Sequence, residues 1–197
     1  MRLTTSKAFQ SKGNLVRSKL VAGLSGVCAL LLLLTATPAF AENLTVGDAT
    51  GDTQSRSDIQ RMKVTNSRAD NQLHVRVVLS KIVLGAPVTV YLDRNLDNNG
   101  PELRMVAYPD SEWLLFRVGS WDERGESIRT CGRVSYSDST KNAAATWEAK
   151  RDCLKIDGAV RVAAKVVDPK GGRDWIPAEQ AFSKRVSAKV ASAPVAK

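Results

Sequence analysis

From Gln72 to Ser80 the chain alternates, with Leu73, Val75, Val77 and Leu79 on one face and His74, Arg76 and Ser80 on the other. A period of two describes a strand with one face in a core and one in water, and no comparable 3.6-residue pattern appears beyond the N-terminal leader. The same logic predicts strands over 59–66, 72–80, 88–93, 103–108, 112–118, 128–135, 144–151 and 159–167. The last of these sets Val160, Val162, Ala164 and Val166 on one side. Short strands separated by turn residues, such as Ala69-Asp70-Asn71 and the polar segment Arg94 to Pro101, predict an all-β, antiparallel β-sandwich of jelly-roll-like kind. A β-barrel is the alternative.

The N-terminus sets the compartment. Arg2, Lys7, Lys12, Arg17 and Lys19 occur without any acidic residue, Leu20 to Ala36 is uncharged, and Pro38 precedes Ala39-Phe40-Ala41. This is the layout of a signal peptide, 1–41, cut before Glu42, and it predicts a secreted, extracellular protein that keeps no membrane attachment after cleavage. The apolar stretch lies at the short edge of what spans a bilayer, and Cys28 follows Val27 rather than a small residue, so neither an anchor nor a lipoprotein is expected. Residues 42–57, rich in Thr, Gly, Asp and Ser, read as an irregular lead-in, 58–186 as the β-sandwich domain, and 187–197 as a disordered tail.

Taking the five leader cations from the 29 Lys and Arg leaves 24 against 20 Asp and Glu, a net charge of +4 rather than +9. That excess is interleaved with acidic residues along the chain, so no nucleic-acid partner is expected. Without the leader two cysteines remain, Cys131 and Cys153, and an oxidising compartment pairs them.

Oxygen-bearing side chains recur at Asp93, Asn95, Asp97 and Asn99, with Glu102 three residues on. A hard cation takes six to eight oxygens, so these five residues are candidate calcium ligands on a β-sandwich loop; position six is Asn98 and position twelve Arg104, which excludes an EF-hand. A solvated polar turn is the competing reading. A second acidic group, Asp48, Asp52 and Asp58 around Gly51, forms or completes a cation site if the lead-in folds over the sandwich.

Trp121, beside Asp122 and Glu123, and Trp175, beside Asp174, are the rings best placed for exposure and for stacking on a sugar, whereas Trp113 reads as core. No catalytic residue emerges: His74 is the only histidine, on the polar face of a strand, and Ser111, Ser120 and Ser127 lack a nucleophile turn. The chain is therefore not expected to be an enzyme.

Several segments carry a resemblance: Gly47-Asp48-Ala49-Thr50-Gly51-Asp52 leading to Asp58-Ile59, Leu92-Asp93 with Gly100-Pro101-Glu102, the two cysteines, Val160-Arg161-Val162-Ala163, and Asp174-Trp175 with Phe182-Ser183. In these the chain resembles small secreted actinobacterial β-sandwich proteins of unassigned function. The Gly-Asp opening and strand order are also similar to sandwiches of the DOMON and family 9 carbohydrate-binding type, some of which bind sugars, haem or calcium. The resemblance implies the sandwich fold; the single histidine speaks against haem. The expectation is a secreted non-catalytic binding domain, calcium-stabilised, acting on cell-wall or extracellular glycan. An extracellular protein-interaction module such as a protease inhibitor is the alternative.

Overall fold

The structure is a computed structural model that describes residues 43–53, 55–138 and 143–188. The expected signal peptide, and the expected tail from residue 189 onward, lie outside the described residues. Among the described residues eleven strands follow one another: β1 (Asn43–Gly47), β2 (Ile59–Ser67), β3 (Gln72–Leu79), β4 (Val88–Asp93), β5 (Leu103–Ala107), β6 (Trp113–Arg117), β7 (Glu126–Ile128), β8 (Arg133–Ser137), β9 (Ala144–Lys150), β10 (Arg161–Val167) and β11 (Arg173–Ile176). Among the described residues no helix is long and apolar enough to cross a membrane.

The strands form two antiparallel sheets, ordered β1-β2-β3-β9-β8 and β11-β10-β4-β5-β6-β7. The chain lays down β1 to β3 in one sheet, crosses for β4 to β7, returns for β8 and β9, and crosses again for β10 and β11. The alternating apolar faces meet between the sheets: Val64, Val75 and Trp147 from one, Val90, Met105, Leu115 and Val162 from the other, all in one core. This is the expected sandwich rather than a closed barrel. Burial of such side chains, worth about 1.5–3 kcal/mol each, is what holds the sheets face to face.

Three departures from the sequence expectation have local causes. Residues 43–47, read as part of an irregular lead-in, form the edge strand β1, paired with β2 from Asn43↔Thr65 to Gly47↔Arg61. Its alternation rests on Leu44 and Val46 alone, too short to stand out from its Thr- and Gly-rich surroundings. The stretch 128–135, read as one strand, is broken between two sheets: β7 ends at Ile128 and β8 starts at Arg133. The break falls at Gly132, whose φ is +91°, and a Cβ there would lie 1.8 Å from the Glu148 carbonyl oxygen. Finally, β11 pairs with β10 at the sheet edge, from Ala164↔Ile176 to Val167↔Arg173, where no strand was expected.

The disulfide joins Cys131, before β8, to Cys153, just after β9, with Cα atoms 6.0 Å apart. It closes the hairpin made by those two strands. Trp147 on β9 donates its indole N–H to the Cys131 carbonyl at 3.2 Å, so the bridge is anchored in the core. Changing both cysteines to alanine is expected to lower unfolding free energy by about 3 kcal/mol, read by urea denaturation. A midpoint unchanged in the double variant would show that the bridge constrains nothing.

Candidate functional site

After β1 the chain continues its ladder for one more bond, Asp48 N–H to the Gln60 carbonyl at 3.1 Å, then turns at Gly51, whose φ is +77°. Asp58, just before β2, accepts the Gly51 N–H with both carboxylate oxygens at 3.1 Å. The turn is thereby bent back onto the sheet, and Arg56 fastens its far side through Nε and N–H bonds to Asp168, at 2.9 and 3.1 Å. That guanidinium, with the Lys170 N–H, holds the Asp168 carboxyl down at about 2.

On the opposite side, Asp174 of β11 is only 3% exposed and accepts the Ile59 N–H at 2.5 Å. It stitches the edge of the six-stranded sheet to the start of β2. These two constructions bring Asp48, Asp52 and Asp174 together, with carboxylate oxygens all within 4.8 Å of one another. It is the one such group of acidic, histidine or cysteine side chains among the described residues.

The electrostatics there are unbalanced. Burial pushes the Asp174 carboxyl up to about 6, with the charges of Asp48 and Asp58 adding to it and the Ile59 N–H opposing. Asp48 is likewise raised, first by burial and then by Asp52. Its Oδ2 atom is buried and has no hydrogen-bond partner. The ion pairs among the described residues join Arg56 to Asp168, His74 and Arg133 to Glu148, Arg117 to Glu126, and Arg161 to Asp93, and none reaches this group.

Of the residues singled out in sequence, Asp48 and Asp52 belong to the cluster, and Asp58 braces the turn that carries them. Asp174, its most buried member, had no signal of its own, because only the approach of β11 to β2 brings it in. The loop of Asp93, Asn95, Asp97, Asn99 and Glu102 is wired differently. Asp93 is fully buried and bonded by Arg161. Glu102 accepts the Arg94 and Asn95 N–H groups at 2.9 and 3.4 Å, Asn95 Oδ1 accepts the Asp97 N–H at 3.4 Å, and Asp97 and Asn99 are exposed. Glu102 and Asn95 are thus engaged in shaping the loop and Asp93 Oδ2 in meeting Arg161, while Asp93 Oδ1 is buried without a hydrogen bond.

Trp121 and Trp175 do come together, in an edge contact at 5.8 Å, but both are half-buried among other rings. Tyr91 of β4 stacks on Trp175 at 5.6 Å, Phe182 lies 4.5 Å from Trp121, and the Lys165 ammonium sits 4.8 Å from the Trp175 centroid. These rings form a second small core that covers the outer side of β4, which is why all six of its residues are buried. His74 is partly exposed and lies 3.5 Å from Glu148 at the surface of the sheet. Comparison with family models, with curated proteins and with solved structures finds no match to this chain.

Proposed function

We propose that this chain is an extracellular, non-catalytic β-sandwich that binds calcium through Asp48, Asp52 and Asp174 and serves as a binding domain for glycan. The observation that carries the calcium site is the buried, unpartnered Asp48 Oδ2 in a group of three carboxylates that form no ion pair with a cation among the described residues. Calcium binds oxygen at about 2.3–2.6 Å, so ligands on opposite sides of one ion stand about 5 Å apart, the span of this cluster. Carboxylates without imidazole or thiolate favour a hard cation over zinc or copper. Bound there, the ion ties the segment after β1 to β11 and so closes the sandwich along one side.

Calcium and pH are coupled through Asp174. Without the ion its folded carboxyl titrates at about 6, above the ordinary 3.8. The folded state then holds the proton more tightly than the unfolded chain, so the stability from this group is complete below about pH 4. It is lost as pH rises through about 6, by at most about 3 kcal/mol. The ion favours the charged carboxylate and removes that loss. Calcium at 100 times its Kd is expected to add about 2.7 kcal/mol at pH 7. For a domain of this size that raises Tm by about 5–10 °C over chelator. Asp174→Asn should abolish the calcium shift while leaving the calcium-free protein at least as stable as wild type at pH 7, because the replacement keeps the acceptor for Ile59 and loses the repulsion. Identical wild-type melts in calcium and chelator, or a calcium shift that survives in the variant, would overturn the site.

One observation favours the protein-interaction alternative: Leu84, between β3 and β4, is 70% exposed. An apolar tip of this kind suits insertion into a partner's pocket, as in a protease inhibitor. Stoichiometric inhibition of secreted proteases, lost in Leu84→Asp, together with silence on glycans, would establish that reading instead.

A further inference from the structure

The antiparallel register of the five-stranded sheet collects cations that are far apart in the chain. Gly47 stands beside Arg61, Arg61 beside Val78, and Val78 beside Ala144. The next row runs Thr45, Lys63, Arg76, Thr146 and Ser135, and the one after it Asn43, Thr65, His74, Glu148 and Arg133. Lys150 follows opposite Gln72. These residues point away from the core, since their neighbours Val64, Val75, Trp147 and Ala149 fill it. Five cations, Arg61, Lys63, Arg76, Arg133 and Lys150, therefore share one outer face with a single acid, Glu148, which Arg133 and His74 already bridge at 2.6 and 3.5 Å.

The face carries a net charge of +4, as large as the whole excess of residues 42–197. Arg61, Lys63 and Arg76 take part in no ion pair among the described residues. Arg76 is oriented across the strands by its bond to Thr146 Oγ1 at 3.2 Å. Together with Thr45 and Val78 these three line a depression of about 400 Å³, and a second one, of about 550 Å³, lies by His74, Arg133 and Glu148.

The geometry points to this face as the docking surface for an anionic polysaccharide. A row of cations spaced by the sheet attracts a linear polyanion. The intervening Thr45, Thr146 and Ser135 offer hydroxyls to a strongly hydroxylated chain. Among the described residues the face presents no tryptophan, tyrosine or phenylalanine ring: Trp147 is buried, and Tyr136 turns inward to donate to the Ala107 carbonyl at 2.8 Å. That leaves only the imidazole of His74 as a ring for stacked bases, no apolar anchor for a protein hot spot and no wedge for a membrane surface. The proposal rests on the glycan reading above, whose ligand class it names, and is independent of calcium.

The test passes the full chain over immobilised heparin, polygalacturonate, neutral dextran and duplex DNA in chelator. Retention is expected on the two acidic polysaccharides, with affinity falling at least about tenfold as salt rises from about 50 to 200 mM. The variant R61Q/K63Q/R76Q should lose at least about tenfold in that affinity, by analogy with cation release, at unchanged Tm. A control that removes the same charge elsewhere, R124Q/K170Q/K184Q, should stay within about twofold of wild type. Equal loss in both variants, or retention on DNA as strong as on the acidic polysaccharides, would overturn the surface. Binding to dextran alone would overturn it and leave the glycan reading standing; silence on every polysaccharide would remove both.

Discussion

Replacing Arg161 by methionine is expected to cost the protein about 3–5 kcal/mol at neutral pH, the loss typical of a buried charge deprived of its partner. Asp93 ends β4, the strand whose six residues are all buried, and is itself 0% exposed. Arg161, opposite it in the β10–β4 register, is the cation that meets Asp93 Oδ2, and Asp93 Oδ1 is already buried without a hydrogen bond. Burial raises the Asp93 carboxyl above its ordinary value while Arg161 opposes that rise. Without the guanidinium the carboxyl rises further, so the variant's deficit is present above the new folded pKa and disappears as pH falls below about 4, where folded and unfolded states are both protonated. Urea denaturation of wild type and R161M across pH 3.5–7.5 reads this directly, and a difference that is constant with pH would refute it. Asp93→Asn should be milder, about 1–2 kcal/mol. Arg161 is partly solvated, also donates to the Asn98 carbonyl at 3.3 Å, and rests over Phe182 at 5.3 Å, so it is not stranded when Asp93 is neutralised.

The Asp93 pair shows where sequence reading stopped. The alternation of Leu73, Val75, Val77 and Leu79 located a core-facing strand, because a period of two depends on one segment alone. The disulfide was equally accessible, since two cysteines allow a single pairing. Oxygen-rich spacing from Asp93 to Glu102 suggested ligands, yet whether a carboxylate is available to an ion depends on what the neighbouring strand sets opposite it, and there β10 supplies Arg161. The acidic cluster reverses the case. Asp48 and Asp52 were visible as a group, whereas Asp174 lies more than a hundred residues away and joins them only because β11 closes against β2. The cationic face is a product of register in the same way: Arg61, Arg76 and Arg133 are separated by acidic residues along the chain and gathered by pairing across it.

Arg151 went unremarked in the sequence for the same reason, and its loss is expected to be nearly as damaging as that of Arg161. It follows β9 in the turn that carries Cys153, is 3% exposed, and is paired with no carboxylate among the described residues. Instead it donates to Asn66 Oδ1 and, at 3.0 Å, to the Ile156 carbonyl. Asn66 in turn donates to the Val186 and Gly158 carbonyls at 2.8 and 3.2 Å. Two side chains thus tie the end of β2, the turn after β9 and the segment that returns past β10, and burial keeps the guanidinium pKa below its ordinary value. Arg151→Met strands the Asn66 and Ile156 oxygens in the interior and should cost about 3 kcal/mol, since each buried acceptor left alone is worth about 1–3 kcal/mol. That lowers Tm by about 6–12 °C in a domain of this size. Arg151→Lys keeps the charge but not the planar fork that reaches both acceptors, so it should recover only part of the loss. Adding Asn66→Leu to Arg151→Met removes one stranded acceptor, so the double variant should fall short of the summed single effects, the mark of two residues acting as one unit. Melts of R151M within about 2 °C of wild type, or strictly additive losses in the double variant, would show that the knot holds nothing together.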